Sequence, residues 1–130
     1  MVKIEKESDI ELLNSSHYLI KKHLQNQFNL ICKNYDCTDL SKVGAIFYLC
    51  RYDDIKRFSE IGLTLPYDET VYETSDLITL NDGKSKFTIF QVVYLLNNDM
   101  AITVVFDMNI LDDLTKSWLL EDCTERTVYL

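Results

Sequence analysis

The sequence predicts a single α+β domain over residues 1–130, and three observations support this class. The chain has 130 residues, which is long enough to bury one hydrophobic core. Its residues are 47% hydrophobic and 26% charged, with one proline and three glycines, so a flexible linker is not expected. Helical periodicity dominates the N-terminal part, whereas strand-like segments around a turn dominate the second half. Helices and strands are therefore expected in separate parts of the chain.

The N-terminal segment predicts a long helix. Ser8 and Glu11 have the S-x-x-E spacing of a capping box. After them apolar residues recur at intervals of three, four or seven as far as Tyr35, and His17 falls on the same stripe. The "NSS" segment at 14–16 favours a break, because Asn and Ser side chains compete for backbone hydrogen bonds. We interpret His17 as a partly buried core residue.

An antiparallel meander over about 77–107, plus a strand near 43–51, forms the predicted sheet. The segment 43–51 is β-branched and aromatic without a helical period. Asp82-Gly83 predicts a two-residue type I′ turn. The middle strand is apolar on both faces, so helices cover both faces or one face packs against a partner. The predicted meander strands are 77–81, 84–96 and 100–107.

Two further helices and an edge strand complete the prediction. Asp53 as N-cap and Gly62 as C′ residue delimit a short helix. Asn109 can cap a C-terminal helix whose buried stripe includes Trp118. The tail "TERTVYL" predicts a short edge strand, and the segment around Pro66 predicts a loop or edge segment.

The cysteines and the N-terminus indicate a cytoplasmic protein. The start "MVKIEKESDI" has no apolar signal core, and no apolar run reaches the length of a membrane span. The four cysteines are then expected as thiols. A zinc site combining Cys32 and Cys37 with His17 or His23 has unsuitable spacing, so we predict no metal and no cofactor. Phosphate-loop, dinucleotide, zincin and nucleophile-elbow motifs are absent, so we predict no enzymatic activity.

The charge is negative and unevenly distributed. The net charge is −8, and residues 52–82 carry eight acidic against two basic residues, a net −6. Residues 99–130 carry seven acidic against two basic residues, a net −5. Direct nucleic-acid binding depends mainly on basic groups, so this distribution argues against it.

The segment Tyr67–Asp76 combines four acids and two tyrosines with no basic residue. Acids interleaved with aromatic rings can imitate nucleic acid, and such a surface steers a basic partner towards it. A solvated loop is the simpler reading, but tyrosine is enriched at binding hot spots. The C-terminal helix offers a second acidic surface. The predicted contact residues are Tyr67, Asp68, Glu69, Tyr72, Glu73, Asp76, Asp112, Asp113, Trp118, Glu121 and Asp122.

These features lead to a functional hypothesis with two alternatives. The hypothesis is a small acidic inhibitor that blocks the basic cleft of a protein partner. It could be the immunity protein of a bacterial toxin such as a nuclease, or a virus-encoded inhibitor of a host defence enzyme. The first alternative is a structural or adaptor subunit that docks or homodimerises through the apolar sheet. The second is a small-ligand or enzymatic domain with a pocket between helix and sheet.

Overall fold

The described part of the chain is a mixed sheet of six strands with two helices. The computed structural model describes residues 2–13, 16–43, 45–50, 72–95, 101–107, 113 and 123–130. Helices and strands are segregated, in agreement with the predicted α+β class. In chain order the elements are β1 (Val2–Lys3), α1 (Glu7–Glu11), α2 (Tyr18–Tyr35), β2 (Ala45–Cys50), β3 (Tyr72–Asn81), β4 (Lys86–Leu95), β5 (Ala101–Asp107) and β6 (Thr124–Tyr129).

The helical N-terminal region consists of a short and a long helix, which lie on either side of the "NSS" segment where a break was predicted. The first begins at Glu7 and ends at Glu11, so the Ser8–Glu11 spacing does not mark its start. Asp9 provides the cap, because its Oδ2 accepts the backbone N–H groups of Glu5 at 2.9 Å and Lys6 at 3.0 Å. A capping acid in the first turn also interacts favourably with the helix dipole.

The second helix begins at Tyr18, directly after His17. The imidazole Nδ1 of His17 accepts the backbone N–H of Leu19 at 3.1 Å, so this histidine is the N-cap of α2. The histidine that faces the core is His23, which has no exposed surface. His17 is partly buried, as predicted, but it caps α2 instead of lying on the buried stripe of the helix.

The sheet contains both parallel and antiparallel strand pairs, whereas the predicted meander contained only antiparallel pairs. Its strand order is β1-β2-β5-β4-β3-β6. The strand β4 pairs antiparallel with both β3 and β5. However, β2 lies parallel to β5, and β6 lies parallel to β3. The tail strand β6 is at the sheet edge, as predicted, and β3 becomes an interior strand from Asp76 onward.

The β3–β4 connection is wider than the predicted two-residue turn. Asn81 pairs with Lys86, so residues 82–85 form the loop. A type I′ turn needs positive φ at both central residues, but of Asp82 and Gly83 only Gly83 has one, at 86°. The Asp82 carboxylate stabilises the wider loop, because its Oδ1 accepts the backbone N–H of Lys84 at 2.9 Å and of Ser85 at 2.8 Å.

Both faces of the central strands are buried. The face that carries Phe47 and Ile89 packs with α1 and α2 in one hydrophobic cluster. On the opposite face five side chains have no exposed surface. The described residues do not include a helix that covers this second face. Its fully buried side chains are Cys50, Phe90, Val92, Val104 and Phe106.

Three predictions fall on residues outside the described part. They are the short helix from Asp53 to Gly62, the loop around Pro66, and the C-terminal helix that starts at Asn109. Of this last segment only Asp113 is described, and it is helical and exposed.

Candidate protein-binding surface

The described end of the acidic segment is a strand. Tyr72–Asp76 forms the first half of β3, so the loop predicted around Pro66 has ended by residue 72. Its register with β4 shifts between Tyr72, which pairs with Tyr94, and Thr74, which pairs with Val93. Glu73 therefore lies at a β-bulge, a feature that redirects side chains and is common beside functional sites.

This half of β3 pairs on only one side within the described part of the chain. The neighbouring strand β6 begins at Thr124, directly opposite Asp76. Residues 72–75 therefore have β4 on one side and no described strand on the other. The acidic segment thus enters the sheet upstream of the part of β3 that pairs with β6.

The charge of Asp76 is paired with that of a basic residue. Its Oδ2 lies 3.4 Å from Nε of Arg126 on β6, and 18% of its side chain is exposed. The arginine side chain is 43% exposed, so the pair is partly solvated and contributes about 0–1 kcal/mol to stability. We conclude that Asp76 is the last acid of the segment and that Arg126 offsets its charge.

Most of the remaining predicted contact residues lie outside the described part. The structure gives the backbone pairing of Tyr72 and places Glu73 at the register shift, and Asp113 is exposed. Their grouping into one surface remains a prediction. The residues outside the described part are Tyr67, Asp68, Glu69, Asp112, Trp118, Glu121 and Asp122.

A row of polar side chains runs beneath α2, which the sequence pattern did not reveal. His23 Nε2 lies 2.8 Å from Gln91 Oε1, and Gln91 Nε2 donates to Gln27 Oε1 at 3.5 Å. Asp76 is the cross-strand neighbour of Gln91, which links this row to the ion pair with Arg126. Since the Gln91 oxygen faces His23, the imidazole carries its proton on Nε2.

This tautomer leaves Nδ1 of His23 as a buried acceptor that forms no hydrogen bond with any described residue. Burial lowers the pKa of His23 below its ordinary value, the hydrogen bond to Gln91 partly opposes this, and the Arg126 charge lowers the pKa further. His23 is therefore neutral at pH 7. Its full burial keeps it from acting as an accessible general base, and we assign it a structural role.

A cavity of about 370 Å³ lies between α2 and the sheet. Its volume is within the range of small-ligand pockets. The lining combines amides, apolar side chains and one phenol, and among the described residues it contains no histidine, cysteine or carboxylate. A general base for catalysis is thus missing from the described lining. The lining residues are Gln27, Leu30, Ile31, Asn34, Tyr35, Ala45, Val93 and Thr103.

An aromatic contact connects the start of α2 to the β3–β4 loop. The His17 ring stacks on Tyr18 at 4.8 Å and on Phe87 at 4.4 Å between centroids. The Tyr18 hydroxyl donates to Asp82 Oδ2 at 2.7 Å. That bond and the backbone N–H groups of the loop lower the pKa of Asp82 to about 2.

We expect Tyr18→Phe to raise the pKa of Asp82 towards its ordinary value, because the tyrosine hydroxyl is the largest cause of the lowering. Carboxyl ¹³C NMR titration of the wild type and the variant measures the shift. Lys22→Gln is the matched control, because the Lys22 charge is the weakest of the causes and its removal should change the pKa less. An unchanged Asp82 pKa in Tyr18→Phe would contradict the contact.

Metal binding finds no support in the described residues, which contain no group of three or more His, Cys, Asp or Glu side chains suited to hold an ion. The zinc combination considered from the sequence is also separated in space. His23 and Cys32 lie nine residues apart on one helix, or roughly 13 Å along its axis at 1.5 Å per residue. In the described part of the chain, no helix has the length and hydropathy needed to cross a bilayer.

Comparison of the chain with protein-family models, with curated proteins and with solved structures gives no match.

Proposed function

We propose that this protein is a cytoplasmic acidic inhibitor that binds the basic cleft of a protein partner through the segment Tyr67–Asp76. The observation that carries the proposal is the charge of residues 52–82, eight acids against two bases, within a chain whose first 51 residues are almost neutral. We also propose that the segment 109–122 is the predicted C-terminal helix and that its acids flank the same partner.

The electrostatic argument has a direct physical basis. A surface with one sign of charge raises the encounter rate with a partner of the opposite sign by 10-fold to about 1000-fold. Three acids of the segment, Asp68, Glu69 and Glu73, have no basic residue within the segment to offset them. The one acid whose side chain is described, Asp76, is offset by Arg126 at the end of the segment. The unpaired charge is therefore expected between residues 68 and 73.

Backbone geometry adds a second reason. The segment enters the sheet through a bulge at Glu73, beside a stretch of β3 that pairs on one side only in the described chain. Bulges redirect side chains, so the acids around Glu73 can be turned towards a partner. Nucleases and other nucleic-acid-binding proteins carry basic clefts, so a nuclease toxin, with this protein as its immunity partner, is our preferred target class. The second target class is a host defence enzyme with a basic cleft, which a viral inhibitor would block through the same charge complementarity.

Burial argues against the alternative of docking through an apolar sheet face. Phe90, Val92, Val104 and Phe106 would form such a face, but none of them has exposed surface. A partner or second copy of the chain would have to displace what covers them. The acidic segment is therefore a better candidate for an interface than the apolar face of the sheet.

The proposal predicts that reversing the charge of Glu69 and Glu73 removes partner capture. The matched control reverses Glu7 and Glu11 on α1, which are exposed and lie outside the segment. Both double variants change the net charge equally, from −8 to about −4. Wild type, Glu69→Lys/Glu73→Lys and Glu7→Lys/Glu11→Lys serve as baits in parallel, and bound proteins are quantified by mass spectrometry at low and high salt.

The expected result is a basic protein that wild type and the α1 variant retain at low salt and the segment variant does not. Retention should weaken at high salt, because exposed charges are screened. If every captured protein binds both variants equally, the segment is a solvated loop and the interface assignment fails.

A further inference from the structure

Two cysteines meet at the C-terminal end of α2. The helix ends at Tyr35, and Asp36 follows in the left-handed conformation with φ 50° and ψ 54°. The backbone N–H of Cys37 donates to the carbonyl of Cys32 at 3.0 Å, and that of Asp36 donates to Lys33 at 3.4 Å. These two bonds, closing six and four residues, define a Schellman motif. Cys32 occupies its C3 position and Cys37 its C″ position.

The motif determines where the two thiols lie. In a Schellman motif the C3 and C″ side chains contact each other, usually as an apolar pair. Here both positions are cysteine, so the motif brings the two side chains together at the end of α2. Cys32 is buried in the core cluster, whereas Cys37 packs at the border of that cluster and is half-buried. Cys37 is therefore the more exposed of the two thiols.

We propose that Cys32 and Cys37 form a thiol-modification site that reacts with low-molecular-weight disulfides such as glutathione disulfide and closes to an intramolecular disulfide. The proposal is independent of the inhibitor function. Both cysteines are free thiols in the structure.

The exposure of the two thiols sets the order of the reaction. The Cys37 thiolate attacks one sulfur of the small disulfide, forms a mixed disulfide and expels the first small thiolate. The Cys32 thiolate then attacks the Cys37 sulfur and expels the second small thiolate. The two protons lost by the cysteines appear on the two released thiols, so the small disulfide is reduced and the protein is oxidised. Burial and the neighbouring Cys37 raise the pKa of Cys32 to about 11, which disfavours its direct attack on an external reagent. Its attack on the mixed disulfide at Cys37 is intramolecular and therefore benefits from a high effective concentration.

Trypsin makes the product easy to detect, because Lys33 separates the two cysteines in the sequence. Cleavage after lysine places Cys32 in peptide 23–33 and Cys37 in peptide 34–42. Only a disulfide joins these peptides after digestion. The reduced full-length protein is incubated in its folded state with glutathione disulfide, the remaining thiols are alkylated under denaturing conditions, and the digest is analysed by mass spectrometry without reduction.

The expected product is the joined pair of peptides 23–33 and 34–42, with the intact protein about 2 Da lighter before alkylation because two hydrogens leave. The proposal is overturned if glutathione remains attached to Cys37 in the wild type. It is equally overturned if all four cysteines are alkylated after treatment, or if the disulfide includes Cys50 or Cys123.

Three serine variants test the roles within the pair. Cys32→Ser should stop at a stable glutathione adduct on Cys37, because the second nucleophile is gone. Cys37→Ser should leave Cys32 alkylatable and without an adduct, because a buried thiol does not meet the reagent. Cys123→Ser is the matched control at another half-buried cysteine, and it should form the Cys32–Cys37 disulfide as the wild type does. Equal adduct levels on Cys32 and Cys37 in the two pair variants would contradict the assigned order.

Discussion

Phe47→Ala and Phe90→Ala should each lower the free energy of unfolding by about 3–5 kcal/mol, because each removes a fully buried aromatic ring and leaves a cavity. The two residues lie on opposite faces of the sheet. Phe47 belongs to the cluster beneath the helices, and Phe90 lies 6.0 Å from Phe106 between ring centroids on the other face. A domain of this size is stable by about 5–15 kcal/mol, so either loss is large.

Urea unfolding followed by circular dichroism measures both values. Tyr129→Ala is the matched control, because Tyr129 is 78% exposed on the edge strand β6. Its truncation should change stability by about 1 kcal/mol or less, within the range of strand propensities. Suppose that Phe90→Ala lowers the free energy of unfolding no more than Tyr129→Ala does, whereas Phe47→Ala lowers it by several kcal/mol. The face that carries Phe90 is then not packed in the monomer. The adaptor alternative, with its open apolar sheet face, would then become the better account.

Stability should fall as the pH drops below 6.5, because His23 is held neutral in the folded state. Its folded pKa lies below the ordinary value of 6.5. Below pH 6.5 the unfolded chain binds a proton that folded His23 does not, so protonation favours unfolding. The contribution is complete above pH 6.5 and is lost as the pH falls towards the folded pKa. Because one pH unit corresponds to at most about 1.4 kcal/mol per proton taken up, the loss between pH 6.5 and 5.5 stays below that value.

The measurement uses His17→Asn as the reference protein, so that His23 is the only histidine. Asn is a good N-cap and preserves an acceptor for the first turn of α2. Urea unfolding between pH 5.5 and 7.5 should show the loss in His17→Asn, whereas His17→Asn/His23→Leu should show a flat profile in this window. The pKa values of Asp39 and Asp82 are lowered, so these carboxylates affect stability only at a pH below this window. If the free energy of unfolding depends on pH identically in both proteins, His23 is not the group that causes the loss of stability.

Local patterns in the sequence predicted the strands of the sheet well. The alternation in the middle strand placed Phe87 and Ile89 on one face and Phe90 and Val92 on the other, and both faces are buried around Ile89 and Phe90. Alternation is a property of a few consecutive residues, which is why one strand suffices to reveal it. The tail strand at the sheet edge was likewise predicted from its own residues.

The neighbours of each strand could not be predicted in the same way. Ala45 pairs with Ala101, and Asp76 pairs with Thr124, across about fifty residues of chain in each case. An apolar face shows that a strand is covered, but it does not identify which strand lies beside it. The parallel pairs β2–β5 and β3–β6 therefore became visible only in the structure.

The candidate site was predictable in part. The charge of the acidic segment is a property of composition, whereas the neutralisation of Asp76 by Arg126 depends on the β3–β6 register. The helical periodicity placed His17 on the apolar stripe, but α2 begins only after His17, and the histidine on its buried face is His23. The cysteine pair did have a local signal: two cysteines five residues apart at a helix end, with Asp before the second, fit the C3 and C″ positions of a Schellman motif.

The most direct test of the proposed function is the association rate with the captured partner, measured by surface plasmon resonance at two salt concentrations. Relative to wild type, Glu69→Lys/Glu73→Lys should associate about tenfold more slowly at low salt, and the difference should shrink at high salt. The control Glu7→Lys/Glu11→Lys should remain close to wild type under both conditions. Equal association rates for the two double variants at both salt concentrations would contradict electrostatic steering by the acidic segment.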